Sequence, residues 1–209
     1  RPLADGGEGT VDALVAACEG KKIEISVTGP LGEPVLCQYG LIEKTKTAII
    51  EMSGAAGITL VPASKRNPLF TTTYGVGELM LHAVRAGAKT IYIGLGGSAT
   101  NDGGAGMLQA LGAHLVDECG CNIAPGLAGL ERVANIDLAP ALRALNGARV
   151  VVLSDVENPL VGRRGALAVF GGQKGLPADD AEALSRCDSW MVGYGRLLDT
   201  AVFEAGTQG

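Results

Sequence analysis

A short stretch near the middle of the chain gathers hydroxyl, amide and carboxylate side chains between glycines. It reads Gly-Gly-Ser-Ala-Thr-Asn-Asp-Gly-Gly over residues 96–104 and follows an apolar run that ends at Leu95. A strand, a glycine-rich loop and a helix start together place backbone N–H groups and a helix N-terminus against an anion. We therefore predict contacts to phosphate or substrate in this loop and a candidate catalytic carboxylate at its end. The contact residues are Gly96, Gly97, Ser98, Thr100 and Asn101, and the carboxylate is Asp102.

Two other segments place carboxylates beside turns. Asp5 opens the motif Asp-Gly-Gly-Glu-Gly-Thr before a helix, where it is either catalytic or a helix cap. Asp155 follows Arg149 to Leu153, a run that predicts a buried strand, and open α/β sheets bind ligands at that end of a strand. Asp155 is therefore a candidate catalytic residue, with a plain turn role as the alternative. Asn158 precedes a proline in the predicted turn and is a further candidate substrate contact.

A third glycine loop, from Gly171 to Gly175, carries the single cation Lys174. A lysine in such a loop suits phosphate, and a solvated surface lysine is the alternative. The central loop matches neither the phosphate-loop pattern nor a well-placed dinucleotide pattern. A Rossmann oxidoreductase is therefore the weaker hypothesis, since the acidic residue expected about 20 positions onward after a second strand is missing.

Hydrophobic periodicity predicts the elements that position these loops. Apolar residues spaced as on one helix face predict helices from Val11 and over 76–84, the second behind an N-cap in Thr71 to Thr73, with His82 at the surface. Strands are predicted over 23–27, 35–42, 47–52 and 89–95, and a final helix runs to about Leu198. Successive strands without helices between them pair antiparallel, and helix-separated strands pair parallel. The prediction is one α/β domain over residues 1–209, with a mixed sheet and flanking helices.

Composition limits the function classes. The chain of 209 residues is 47% hydrophobic but only 4% aromatic, which predicts an aliphatic core. Its net charge is −5, without a long basic run, so we expect no nucleic-acid partner. No apolar run has the length of a membrane span, so no membrane partner is expected. Five cysteines without framework spacing predict reduced thiols and a cytoplasmic location. The sequence does not indicate the oligomeric state.

Four motifs follow one another in a specific order. They are residues 3–10, 27–32, 93–107, and 155–160 together with 171–175. In this combination the chain resembles the bacterial glycerate kinases of type 1 over essentially its whole length. That family usually has Gly-Pro-Gln-Lys-Gly where this chain has Gly172 in place of the proline, with Lys174 in register. The family also continues beyond both ends of this sequence, so we expect a fragment that lacks both chain ends.

The resemblance implies transfer of the γ-phosphoryl group of ATP to a hydroxyl of D-glycerate, with Mg²⁺ required. The product is 2-phosphoglycerate or 3-phosphoglycerate, in glycerate and glyoxylate catabolism. It also implies two α/β domains with the active site in the cleft between them. The predicted mixed sheet matches the inserted domain, and the Rossmann-like domain is expected to be largely absent. Asp155 is the candidate Mg²⁺ ligand, with Asp102 as the alternative. Which of Asp155, Asp102 and Asp5 acts as base stays open. A non-catalytic domain that binds a small anion, or a regulatory domain, is the alternative on the same fold.

Overall fold

A computed structural model describes residues 9–177 and 180–207, with side chains up to residue 205. Five strands form the main sheet: β1 (Lys21–Thr28), β2 (Pro34–Ile42), β3 (Thr47–Glu51), β4 (Thr90–Gly94) and β7 (Arg149–Leu153). They lie side by side in the order β1-β2-β3-β4-β7. Two short strands, β5 (His114–Val116) and β6 (Asn135–Asp137), form a separate antiparallel pair.

The main sheet has an antiparallel half and a parallel half. β2 pairs antiparallel with both β1 and β3, whereas β4 pairs parallel with both β3 and β7. A short turn over Glu43–Thr45 suffices between β2 and β3, but the parallel pairs need crossovers through helices. The predicted α/β fold with a mixed sheet and flanking helices is confirmed.

The helices cover this sheet and connect its parallel strands. They are α1 (Thr10–Ala17), α2 (Met52–Ala56), α3 (Tyr74–Arg85), α4 (Ala105–Ala110), α5 (Ala139–Leu145), α6 (Ala166–Phe170) and α7 (Ala181–Thr207). The predicted apolar face of α3 is buried at Val76, Leu79 and Met80. A Cβ on Gly77 would lie 2.4 Å from the carbonyl oxygen of Met107, so glycine lets α3 approach α4 closely.

An aliphatic cluster forms the core, as the composition predicts. It joins one face of the sheet, through Ile50 and Ile91, to α3, to β5 and to the inner face of α7. A smaller cluster under α1 packs Val11 against Ile42 and Ile49 on the opposite face. The parallel half of the sheet is therefore anchored on both sides near β3.

Three local predictions need correction. β7 is the edge strand of the sheet rather than a buried one, and Val152 is 56% exposed. A run of β-branched residues signals a strand, but the covering layers decide its burial. His82 is half-buried, because its Nδ1 lies 2.9 Å from the hydroxyl of the buried Tyr39. The last helix extends past Leu198 to Thr207, because its periodicity continues beyond the predicted end.

Candidate active site

The carboxyl ends of the three parallel strands form one edge of the sheet. Glu51 of β3 pairs with Gly94 of β4, which pairs in turn with Leu153 of β7. The backbone N–H of Leu95 donates to the carbonyl oxygen of Leu153 at 3.2 Å and extends this pairing by one residue. The segments that follow the three strands therefore leave the sheet next to one another, where open α/β sheets bind ligands.

The central loop is fixed to the segment that follows α2. The backbone N–H of Ile58 donates to the carbonyl oxygen of Gly97 at 2.8 Å, and that of Ala99 donates to Ala56, also at 2.8 Å. Gly97 has φ 73° and is exposed, and Gly96 is half-buried. A positive φ favours glycine, and glycine has no side chain to cover its own backbone. The glycine at position 97 therefore explains both the conformation of the loop and its exposed backbone there.

The carboxylate of Asp102 lies beneath the loop and faces protein donors. It is 1% exposed and accepts four hydrogen bonds, from the backbone N–H of Thr73, Gly104 and Gly106 and from the hydroxyl of Thr73, at 2.8 to 3.2 Å. Burial raises the pKa of Asp102 above its ordinary value, and these donors oppose the rise. Asp102 thereby joins the starts of α3 and α4, since both helices leave N–H groups without partners there.

Thr73 differs from its predicted role in one respect. It occupies the N-cap position of α3, but its hydroxyl does not cap that helix. The hydroxyl donates to Asp102 at 2.8 Å and accepts from the backbone N–H of Met107 at 3.0 Å. The oxygen that would accept from an N–H of α3 in a helix cap accepts from Met107 instead, while the hydroxyl hydrogen makes a charge-assisted bond to Asp102.

Lys174 is buried against the central loop. It is 9% exposed, and its Nζ donates to Ser98 Oγ at 2.9 Å and to the carbonyl oxygen of Thr100 at 2.7 Å. Burial lowers the pKa of Lys174 to about 8, and the nearby carboxylate of Asp102 opposes this. The alternative interpretation of Lys174 as a solvated surface residue is therefore wrong. Because an ammonium group has three N–H donors, one remains beyond these two contacts.

The glycine loop that carries Lys174 is held without the proline of the related motif. Residues Gly172–Lys174 form a turn of 3-10 helix, and the N–H of Gly175 donates to the carbonyl oxygen of Gly172 at 3.1 Å. Gly175 has φ 104°, and a Cβ there would lie 2.0 Å from the carbonyl oxygen of Arg66. Only glycine fits this contact. The close packing of Gly175 on Arg66 therefore fixes the backbone position from which the side chain of Lys174 extends to the central loop.

Two side chains of the central loop retain hydrogen-bonding capacity. Ser98 accepts from Lys174, so its own hydroxyl hydrogen is directed elsewhere. Asn101 is 8% exposed, and its Oδ1 is buried without a hydrogen-bond partner. An unsatisfied buried acceptor costs about 1–3 kcal/mol. The loop therefore holds one acceptor and one donor that a bound group, or a shift of the loop, would satisfy.

The predicted residues after β7 lie at the same edge but contact different partners. Asp155 is exposed, two positions past the last residue of β7, and its carboxylate has no recorded partner in the described part of the chain. The side-chain amide of Asn158 donates to the carbonyl oxygen of Arg164 at 3.0 Å and closes its own loop. Asp188 of α7 accepts from the N–H of Gly162 at 2.7 Å and fixes that loop to the helix. Asp5 lies outside the described residues.

Sequence reasoning missed Glu51. Its Oε1 accepts a hydrogen bond of 2.7 Å from the backbone N–H of Val11 at the start of α1. It also lines an open cavity of about 350 Å³, together with Gly9, Ser53 and Gly54. The signal was present, because Glu51 is an acid at the end of a predicted strand, as Asp155 is.

The described part of the chain contains neither a metal cluster nor a helix that could cross a membrane. Across residues 9–177 and 180–207, no group of three His, Cys, Asp or Glu side chains is arranged to hold a metal ion. In the same residues no helix has both the length and the apolar character to cross a bilayer.

Comparison with known proteins gives consistent matches. A model of the glycerate kinase family matches residues 1–206. A glycerate kinase of Bacillus subtilis is 54% identical over 185 residues, which cover 88% of this chain and 48% of that protein. A glycerate 2-kinase of Escherichia coli is 53% identical over 174 residues, 83% of this chain and 46% of that protein.

A solved structure agrees with these matches. The crystal structure described as a glycerate kinase 2 from Salmonella typhimurium LT2 superposes with a TM-score of 0.88 at 50% identity. It covers 94% of this chain and 52% of that chain. The chain thus spans about half the length of the relatives that it matches.

Proposed function

The chain belongs to the glycerate kinase family, and we propose that the protein phosphorylates D-glycerate with ATP. The relative from Escherichia coli is named a glycerate 2-kinase, which supports 2-phosphoglycerate rather than 3-phosphoglycerate as the product. We further propose that residues 1–209 form one α/β domain, the inserted domain of a two-domain kinase. Five free thiols support a cytoplasmic location.

The observation that carries the proposal is the contact of Lys174 with Ser98 and Thr100 at the carboxyl edge of the sheet. Phosphoryl transfer requires positioning of the reactants and stabilisation of negative charge, with little covalent work by the protein. A buried ammonium group supplies fixed positive charge in a site of low dielectric constant. The exposed backbone at Gly97 and the Ser98 hydroxyl add donors for a phosphate or for the carboxylate of glycerate.

In this proposal the carboxylates have different roles. Asp102 has both oxygens bound to protein donors, so it is a positioning residue that holds the loop from below. Asp155 is exposed after β7 and suits contact with substrate or metal. Asp5 remains a candidate base from the sequence motif alone.

Asp155 also fits Mg²⁺, because its exposed oxygens have no recorded partner in the described residues. Mg²⁺ is commonly bound through one or two carboxylates together with substrate phosphates and water. Such an ion, when bound, neutralises charge on the phosphate oxygens. The pairing of Gly94 with Leu153 supports this role, because the segments that carry the central loop and Asp155 both follow from that pair.

The experiment measures ADP release by the full-length protein in a coupled assay, with and without D-glycerate. Phosphorus NMR of the product then distinguishes phosphorylation of the 2-hydroxyl from that of the 3-hydroxyl. We expect release that depends on both ATP and glycerate. Glycerate binding without such release would refute the kinase and favour a non-catalytic domain that binds a small anion.

The Asp155→Asn variant tests the role of that carboxylate. We expect about 100-fold lower kcat, the usual scale for removing a preorganised electrostatic group. The free energy of unfolding should stay unchanged, because Asp155 is exposed. Asp199→Asn is the matched control, since Asp199 is an exposed acid on α7. Normal turnover of Asp155→Asn would remove this residue from the site.

A further inference from the structure

The start of α1 is held by a side chain from the sheet rather than by its own cap. Gly9 precedes the helix with φ 91°, and no side chain in the described residues caps it at that position. Instead, Glu51 Oε1 accepts from the N–H of Val11 at 2.7 Å, 40 residues away along the chain. A carboxylate at a helix N-terminus satisfies a free N–H group and interacts favourably with the helix dipole.

Tertiary contacts hold this helix in place, including the partly buried Leu14 and Val15 and an ion pair between Asp12 and Lys22. Of its eight residues only Thr10 and Val11 are buried, and Val11 packs against Ile42 and Ile49. An isolated helix of this length is not stable in water, so its position depends on such tertiary contacts. The hydrogen bond that Glu51 accepts from Val11 ties the first turn of α1 to the end of β3.

Glu51 also lies beside the central loop. It pairs in the sheet register with Gly94, the last residue before that loop. Ser53, two residues further, approaches Gly97 so closely that a Cβ there would lie 3.3 Å from Ser53 Cβ. The open cavity next to Glu51 is also lined by Gly9 and by Ser53. Glu51 therefore contacts the start of α1 and shares a cavity with Ser53, which approaches the exposed part of the central loop.

We propose that Glu51 is a positioning residue of this site, which holds the start of α1 against the carboxyl edge where the substrates meet. The inference rests on the proposed kinase function and extends it to a residue that does not touch the reacting atoms. Gly9, which directly precedes α1, lines the same cavity as Glu51, so this hydrogen bond fixes the start of the helix at that cavity. Losing the bond should then affect turnover more than substrate binding.

The test compares Glu51→Ala, Glu51→Gln and Glu51→Asp in the full-length protein. Glu51→Ala removes the acceptor and should lower kcat about tenfold with KM changed less than about threefold, the scale of one charge-assisted hydrogen bond. Glu51→Gln keeps an acceptor oxygen at the same reach and should recover most of the turnover. Glu24→Ala is the control, because Glu24 is exposed on β1 and bonds only the side chain of Gln38.

Assays far below the unfolding temperature separate positioning from stability. If Glu51→Ala unfolds at lower temperature but keeps its kcat and KM, the residue is only a structural cap and the inference is wrong. If Glu51→Ala does not fold, the Gln and Asp variants decide, and equal loss in both overturns the inference. If the unsubstituted protein is active and the Glu51 variants keep the same kcat and KM, only the positioning role of Glu51 is refuted. Unsubstituted protein without glycerate-dependent ADP release refutes the proposed function as well.

Discussion

Replacing Lys174 with methionine tests separately what the buried charge does to the stability of the fold and what it does for catalysis. The pKa of Lys174 falls from its ordinary 10.5 to about 8 because the ammonium group is buried. Each pH unit between these values corresponds to about 1.4 kcal/mol, so carrying the charge into the fold costs about 3 kcal/mol at neutral pH. Its hydrogen bonds to Ser98 and Thr100 offset this, each by about 1.5–3 kcal/mol. We therefore expect Lys174→Met to lower the free energy of unfolding at pH 7 by no more than about 3 kcal/mol.

The dependence on pH follows from the same values. Below pH 8 both the folded and the unfolded chain carry the proton on Lys174, and the full cost is present. Between pH 8 and pH 10.5 the folded chain has released the proton and the unfolded chain has not, so rising pH favours folding. The stability of the unsubstituted protein relative to Lys174→Met should rise by about 3 kcal/mol across this interval.

Urea unfolding of the unsubstituted protein and of Lys174→Met at pH 7.5, 9 and 10 measures this difference in stability. All other titrating groups are present in both proteins, so their contributions cancel in the difference. Lys44→Met serves as the control, since Lys44 is exposed in the turn before β3 and should give no such rise. In the coupled assay, Lys174→Met should lose about 100-fold in kcat/KM. A stability difference that is flat or falls between pH 8 and pH 10 would refute the assignment of Lys174 as a buried cation.

The remaining predictions concern the support beneath the loop. Asp102→Ala leaves four donors without an acceptor and should lower the free energy of unfolding by about 3–5 kcal/mol; a loss below 1 kcal/mol in urea unfolding would contradict this. Gly106→Ala should cost about 1–3 kcal/mol, because its Cβ would lie 2.2 Å from Thr72 Oγ1. Gly193→Ala, with open space at its Cβ, should instead stabilise α7 by up to about 1 kcal/mol. Thermal unfolding of Gly106→Ala and Gly193→Ala should show a lower unfolding temperature for the first variant and a higher one for the second. Equal unfolding temperatures would show that the structure relieves the crowding at Gly106.

Much of the architecture could be predicted from local pattern. Alternating apolar residues located β1, apolar β-prone runs located β2 to β4, and the stripe of α3 located its buried face, because these patterns are properties of neighbouring residues. The order of strands and helices then implied a mixed sheet. The glycines of residues 96–104 likewise marked a loop at the carboxyl edge of the sheet, since glycine supplies the backbone conformations that such a loop needs.

The directions of the site's side chains depend on tertiary structure. Asp102 was chosen for its place in a polar loop, yet it faces Thr73, 29 residues earlier. Lys174 reaches Ser98 across 76 residues, and burial there makes it an internal cation. The sequence by itself determined which chemical groups come to this edge of the sheet. Only the tertiary structure decided which of them face protein and which face outward, because burial and hydrogen-bond partners come from segments far apart in the chain.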